Sequence, residues 1–494
     1  MWGSAGRGVS GRTDHVVVVG AGLSGLSAAL HLLGAGRRVT VVERDDVPGG
    51  RAGRLDLGGY RFDTGPTVLT MPELVDEALN AVGESLADRL DLLPVEPAYR
   101  ARFADGDTLD VHADAEAMEA EVRRFAGPRE AAGYRALRRW LTELYRVERD
   151  EFIGANFDSP LDLLTPRLAR LTALRGFARL EPSVARFISD ERLRRVFTFQ
   201  SLYAGVPPRR ALAAYAVIAY MDTVAGVHHP RGGMRALPDA LAAAAQGAGA
   251  EFRYGTRVAW LERIGGRVTA VRTAHGERIP CDAVVLTPDL PTSYRLLGHR
   301  PRRPLPMTWS PSAVVLHAGV TRTWPELAHH TLFFGAAWER TFTELTRRGT
   351  LMSDPSLLVT APPEQGMFVL APAPNLRRSA IDWERVGPAY RDELVRTLEA
   401  RGLTGFGDSI EVERLVTPRD WAAMGLAAGT PFSAAHTVAQ TGPFRPRNLV
   451  LDNAVLAGCG TTPGVGVPPV LISGRLAAQR ITGAATRRRA VVRT

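Results

Sequence analysis

Hydrophobic positions along the chain set out the elements before any composition is counted. His15 to Gly20 (HVVVVG) is an unbroken β-branched run ending in glycine, which predicts a strand buried on both faces in a parallel sheet. Ser24 to Gly36 carries apolar residues at helical spacing, and Arg38 to Glu43 is a second strand. Strand, helix and strand fit within about 30 residues, the length of one βαβ unit. Residues 71 to 150 read as helical and charged, with an amphipathic stretch at Tyr134 to Tyr145. Residues 158 to 225 alternate apolar and Arg-rich patches and also read as mostly helical. A loop (GVHHPRGG, Gly226 to Gly233) precedes a helix at Leu237 to Ala245 and strands at Glu251 to Leu261, Arg267 to Thr273 and Ala283 to Leu286. Residues 310 to 440 mix strands (Ala313 to Ala318, Met367 to Ala371) with a helix at Pro388 to Arg401. Leu449 to Ala457 reads as a strand, Gly458 to Gly466 as a glycine-rich loop and Pro468 to Ile481 as a helix.

The loop between the first strand and helix, Gly20-Ala21-Gly22-Leu23-Ser24-Gly25, carries the chemistry. Gly20 permits the tight turn, Gly22 lets backbone approach a pyrophosphate, and Gly25 allows close helix–strand packing. Leu23 and Ser24 open the helix, whose free N–H groups and positive dipole end face the phosphates. Glu43 ends the second strand, where a carboxylate takes ribose hydroxyls. Arg44, then Gly49-Gly50-Arg51 and Gly65-Pro66-Thr67, follow closely. An NAD domain has no use for a second Gly-Gly-Arg turn there. An extended FAD needs further backbone approach near its pyrophosphate and ribityl chain, and an arginine there meets phosphate. The Gly458 to Gly466 loop again precedes a helix, starting at Val467, whose N-terminus can stabilise negative charge on a reduced flavin ring. Val258, in the strand after residue 250, completes the expected FAD contacts. No other GxGxxG is present, so no separate NAD(P)H site is expected.

Composition narrows the chemistry. The chain has 494 residues and a net charge of +9, and its 61 basic residues are all arginine. Without lysine, Schiff-base catalysis, PLP attachment and a P-loop are excluded. Excess arginine suits an anionic surface such as phospholipid headgroups, and no nucleic-acid motif is present. Cys281 and Cys459 are far apart and lack metal spacing, which reads as buried structural thiols in a reducing compartment. His228-His229 and His329-His330 lack a carboxylate at ligand spacing, so no metal is expected. No stretch reaches the ~20 apolar residues that span a bilayer. The expectation is a cytoplasmic protein associated peripherally with the membrane. Ala211 to Val227, an apolar run interrupted by Asp222 and preceded by Arg209-Arg210, is a candidate interfacial segment, with a buried core helix as the competing reading.

At this point the residues resemble a family. HVVVVGAGLSGLSAALHLLGAGRRVTVVERDDVPGGRAG with GYRFDTGPTVLTMP is similar to the bacterial phytoene desaturases, and so, in order, are FTFQSLYAGVPP, HHPRGGMRALPDAL, HHTLFFG, MFVLAPAPNL, GTPFSAAHTVAQTGPFRPRN and AGCGTTPGVGVPPVLISG. The resemblance implies an α/β fold: a Rossmann-type FAD-binding domain assembled from discontinuous segments (13–85, 226–290 and 441–485), with a mixed α+β substrate and membrane-associating region (86–225 and 291–440). Residues 1–12 and 486–494 are expected as flexible tails. It implies desaturation of phytoene toward lycopene, a long apolar polyene substrate, a membrane surface as partner, and a quinone or oxygen as electron acceptor. Relatives carry histidine in the final loop (THPG) where this chain has Thr462, and a basic residue where it has Thr165, three after Asp162.

Hydride leaves to the flavin and a proton to a base. Asp162 is a candidate base, although its place after Pro160 favours a helix cap. Arg231 is a candidate for stabilising charge near substrate or flavin. Phe199, Tyr203 and Phe333, with Phe197, Leu202 and Phe334, are candidate substrate-tunnel residues or ordinary core aromatics. Rival readings are a flavin amine oxidase (which typically uses a lysine), a desaturase or isomerase of another carotenoid (diapophytoene, zeta-carotene or hydroxyneurosporene type), and a non-catalytic prenyl-binding protein like the Rab GDP-dissociation inhibitors.

Overall fold

The predicted βαβ unit forms: β1 (His15–Val19), α1 (Leu23–Gly34) and β2 (Arg38–Val42). The computed structural model describes residues 7–301, 306–362 and 366–483. Residues 1–6 and 486–494, within the two expected tails, lie outside these. Residues 7–12 are held down: Val9 N–H donates to the Arg480 carbonyl (2.7 Å) and Ser10 N–H to that of Asp452 (3.0 Å).

β1 and β2 belong to a six-stranded sheet ordered Glu251–Arg253, Arg38–Val42, His15–Val19, Ala283–Leu286, Ala454–Leu456, Leu449–Leu451. All neighbours are parallel except the last pair. Three separated stretches of chain therefore build one Rossmann-type sheet, the discontinuous assembly expected. Val16, Val17 and Val18 are fully buried, as strands covered on both faces must be. The single strand expected over Leu449 to Ala457 is instead a hairpin. Its Asp452-Asn453 turn is fixed by Asn453, whose side chain bonds both N–H and C=O of Val268 at 2.7 Å.

A second, seven-stranded sheet is ordered Ile410–Val416, Ser312–Val320, Met367–Ala373, Leu357–Thr360, His330–Phe333, Tyr99–Arg102, Thr108–Val111. Tyr99–Arg102 and Thr108–Val111 correct the all-helical reading of residues 71 to 150. The short YRAR alternation there is buried on one side only, a pattern that charged neighbours disguised. The helix Ala115–Ala126 packs on the Thr108–Val111 strand of this sheet, and α2 (Pro128–Glu148) packs on that helix, burying Tyr134, Leu137, Leu141, Leu144 and Tyr145 at helical spacing. The other face of the sheet carries a separate core around Phe333, Trp383, Leu394 and Phe406.

Ala211 to Val227 is not an exposed amphipathic helix. It is a broken succession of turns, Ala213–Tyr215, Ala216–Tyr220 and Met221–Ala225, and Ala211, Ala213, Ala216, Val217 and Ala219 are buried. It runs antiparallel to α2: Arg138 donates to the Thr223 carbonyl (3.0 Å), and Tyr145 stacks on Tyr220 with centroids 4.3 Å apart. A third helix, α3 (Val467–Thr482), returns to α1 and packs along it.

Candidate functional site

The first turns of α1 cross the middle of α3 beside the Rossmann-type sheet. Gly22 caps α1 and Gly466 caps α3, and neither helix has a side-chain cap; the first-turn N–H groups of α1 are open to a ligand, whereas α3 offers that of Val467 alone, because Pro468 and Pro469 carry none and Val470 N–H is bonded to the Gly466 carbonyl. The helices touch through small residues. A Cβ on Gly474 would lie 2.3 Å from the Ser24 carbonyl oxygen and 2.8 Å from the Ala28 nitrogen, and Ser27 Oγ donates to the Leu471 carbonyl at 2.8 Å.

The fingerprint glycines hold three different positions. Gly20 is left-handed (φ +102°) and a side chain there would strike Thr287 Oγ1 at 2.2 Å. A Cβ on Gly25 would lie 2.0 Å from the Gly20 carbonyl oxygen. Gly22 has nothing nearer than the Gly49 carbonyl at 4.0 Å, which leaves the space a phosphate needs. Glu43 is buried. Its Oε2 accepts from Ala21 N–H (2.6 Å) and its Oε1 from Asp45 N–H (3.0 Å), and each oxygen keeps a lone pair for a ribose hydroxyl. Thr256 N–H donates to the Glu43 carbonyl (2.7 Å), which brings Val258, at the start of its strand, to this corner. Arg44 is half exposed beside Asp45.

The second glycine turn closes on the first: Gly49 N–H donates to the Ala21 carbonyl (2.9 Å), and Gly50 is left-handed (φ +56°). Arg51 Nη1 reaches the Pro431 carbonyl (2.6 Å) and Cys459 Sγ (3.3 Å), so it ties this turn to the last glycine loop. With Thr287, Asp289 and Gly460 it lines a small cavity. Gly65 packs on the Arg51 carbonyl, where a Cβ would approach to 2.0 Å. The Thr67 carbonyl, following Pro66, faces the rings of both His229 (3.3 Å) and His329 (3.4 Å). Gly458 (φ +106°) donates its N–H to Ser473 Oγ at 3.0 Å and leaves 3.2 Å between its missing Cβ and Ser24 Oγ. These residues fit a dinucleotide: a glycine cradle, the open first turn of α1 and a buried carboxylate.

Sequence reasoning missed several residues here. Arg445 is buried and donates to the carbonyls of Thr461 (3.0 Å), Gln440 (3.2 Å), Ala434 (3.2 Å) and Cys459 (2.6 Å). The ring of His436 lies over Gly464, where a Cβ would come within 2.1 Å of Cε1. His436 Nδ1 is 3.0 Å from Tyr215 Oη, which is 2.6 Å from Thr441 Oγ1. Burial, then the charge of Arg445, pushes His436 well below the usual imidazole range, so it is neutral. Thus an imidazole from another segment packs on the loop that carries Thr462.

The candidate chemistry outside the cradle separates. Asp162 closes a capping box, accepting from the N–H groups of Asp158 (2.7 Å) and Ser159 (2.9 Å). Arg231 is 67% exposed and pairs with Asp91 at 2.6 Å, so it points to solvent. Phe199 joins an aromatic group with Tyr99 (5.4 Å), Tyr203 (5.8 Å) and Phe334 (6.0 Å). Phe333 does not. Strand alternation turns it into the opposite core, under the Arg102 guanidinium at 5.3 Å. Asp222 is half-buried near Tyr99, Tyr203 and Gln200, and desolvation pushes its carboxyl up to about 7. The sequence signal for it was a lone acid interrupting the apolar run.

Comparison with known proteins agrees with this geometry. The family described as flavin containing amine oxidoreductase matches residues 23–482. A phytoene dehydrogenase from Streptomyces griseus is 68% identical over 489 residues, covering 96% of each chain. The chain belongs to the phytoene desaturases. Other relatives include a zeta-carotene-forming phytoene desaturase from Myxococcus xanthus (36%; 94% of this chain, 93% of that one) and a lycopene-forming one from Pseudescherichia vulneris (34%; 94% and 98%). In fold, this desaturase is similar to a putrescine oxidase variant at 16% identity, with TM-score 0.63 over 96% of this chain and 100% of that one. The desaturase is therefore a flavin-dependent oxidoreductase, which excludes the reading as a non-catalytic prenyl-binding protein. Among the described residues no helix is long and apolar enough to cross a membrane.

Proposed function

We propose that this desaturase holds FAD in the cradle between α1 and α3 and dehydrogenates phytoene stepwise toward lycopene at a membrane surface, passing electrons to a quinone or oxygen. The observation that carries this reading is the 68% identity, over nearly the whole of both chains, to a phytoene dehydrogenase. FAD is supported by the double cradle. Gly20, Gly22 and Gly25 take one half of the pyrophosphate site, Glu43 the ribose, and the Gly49 to Arg51 turn the extension beyond it. A bound flavin supplies the two-electron acceptor for hydride.

The protein orients the polyene, excludes water and takes the proton. Tyr99, Phe199, Tyr203 and Phe334 form a largely buried aromatic group, and a hydrocarbon admitted beside it would gain about 25 cal/mol per Å2 buried. Asp222 borders that group, and a carboxyl near 7 is suited to accept a proton at neutral pH. We assign the base to Asp222, since the Asp162 carboxylate is spent on capping. Phytoene in liposomes, incubated anaerobically with the FAD-loaded enzyme and a quinone, should give coloured products whose chromatographic identity counts the double bonds. A zeta-carotene end point, as the name of the Myxococcus xanthus relative suggests, would shorten the sequence of steps; no conversion of phoytene-type substrate by a flavin-loaded enzyme would sink the reading.

A further inference from the structure

The exposed apolar side chains are not spread evenly. Leu161 (71% exposed), Leu164 (71%), Phe177 (46%), Val438 (50%) and Phe444 (47%) come from segments that touch one another. The turn Pro160–Leu163 packs on Gly442–Phe444, which packs on Val438–Gln440. Thr441 bonds Tyr215, and the neighbouring Ala213 and Ala214 N–H groups donate to the carbonyls of Ala178 and Gly176, each at 2.8 Å, on either side of Phe177. One surface thus gathers five large apolar groups from parts of the chain more than 250 residues apart.

Its charge is positive on balance: Arg167 and Arg170 pair with Glu151 and Glu143, and Arg175 and Arg179 are exposed beside them. Residues 160–179 hold four arginines (Arg167, Arg170, Arg175, Arg179) and a single acid, Asp162, which is occupied in its capping box. Residues 437–448 hold the exposed Arg447 and no acid, Arg445 being buried among carbonyls beneath the surface. Arg170 is 62% exposed even while paired with Glu143. Apolar tips ringed by arginine match a bilayer with anionic headgroups, the tips entering the acyl boundary and the guanidinium groups meeting phosphate. The same charge repels a second copy of this face.

We propose that this face, formed by Pro160–Phe177 and Val438–Phe444, is where the desaturase docks on an anionic phospholipid bilayer; this rests on the reading that its substrate is a membrane-dissolved polyene. The face overlies the cofactor loop. From Thr441 the hydrogen bonds run through Tyr215 to His436, whose ring packs on Gly464. Ala211 to Val227 lies beneath it as a buried floor and takes no direct part in docking.

The test uses the FAD-loaded full chain sedimented with vesicles of phosphatidylcholine containing phosphatidylglycerol. Leu161→Glu/Leu164→Glu/Phe444→Glu should cut the bound fraction about tenfold, and added salt should weaken wild-type binding. Trp260→Glu/Ile264→Glu, exposed on a different sheet, should leave binding unchanged. Flavin absorbance and melting temperature report that both variants fold. Undiminished vesicle binding of the first variant, equal loss in the control, or no binding by wild type would each overturn the docking face. So would a wild-type dimer, without vesicles, that the first variant abolishes. Phytoene presented in detergent micelles separates the two readings: the docking variant should turn it over as wild type does, whereas failure of wild type in micelles and vesicles alike would sink the assigned reaction and leave docking intact.

Discussion

The guanidinium of Arg445 donates to the carbonyl of Cys459 at 2.6 Å, and this bond pins the last glycine loop to the segment that precedes it. Three further carbonyls, of Thr461, Gln440 and Ala434, complete the cage. Arg51 reaches the Cys459 side chain from the opposite turn. Arginine is suited to this work because its planar fork carries five donors, which an ammonium cannot replace.

Arg445→Met should therefore cost about 3–5 kcal/mol in denaturant unfolding, because four buried carbonyls lose a charged partner. Arg445→Lys should recover only part of that loss. Purified Arg445→Met should also carry less flavin, read as the ratio of visible to ultraviolet absorbance.

Glu43→Gln presents an NH2 group to one of the two backbone N–H donors, of Ala21 and Asp45, that the carboxylate now accepts. A charge-assisted hydrogen bond is worth about 1.5–3 kcal/mol, so FAD affinity should fall roughly tenfold to a hundredfold in a titration of the apoprotein.

Asp222 has a sign that can be checked. Its carboxyl titrates near 7 in the folded chain against an ordinary 3.8, because burial disfavours the charge. The folded state thus holds a proton that the unfolded state releases, and this group's contribution to stability is full below 3.8 and is lost as pH rises toward 7. Asp222→Asn should melt higher than wild type above pH 7, with little difference near pH 4. Its turnover should fall by about 10²–10⁴ if it is the base, while wild-type turnover rises with pH through about 7.

Phe333 and Phe199 should behave differently. Phe333→Ala opens a cavity in the core on the far face of the seven-stranded sheet and should cost about 3–5 kcal/mol with KM for the polyene unchanged. Phe199→Leu, within the aromatic group of Tyr99, Tyr203 and Phe334, should change the ratio of products in the chromatogram.

Two helical glycines predict opposite outcomes. Gly474→Ala drives a methyl into the Ser24 carbonyl and should lower both melting temperature and flavin content. Gly247→Ala has only Glu84 Oε1 at 3.8 Å and should be neutral or stabilising by up to about 1 kcal/mol.

The local part of this protein was written in its sequence. The run His15 to Val19, the glycines at 20, 22 and 25, and Glu43 are neighbours along the chain, so spacing alone places strand, turn, helix and carboxylate around a dinucleotide. The apolar–polar alternation of Arg267 to Thr273 and the unbroken apolar run of Ala283 to Leu286 are equally local. Tertiary structure decided whatever depends on which distant segments meet. Arg445 and His436 look like loop residues until the fold sets them against Cys459 and Gly464. Asp162 became a cap because its own preceding N–H groups are closer than any substrate. Phe333 and Phe334 differ by one residue, yet pleating sends them to opposite cores. Ala211 to Val227 reads as either an interfacial segment or a buried core helix until α2 covers it. Periodicity records which side of an element is apolar, and only packing fixes what that side faces.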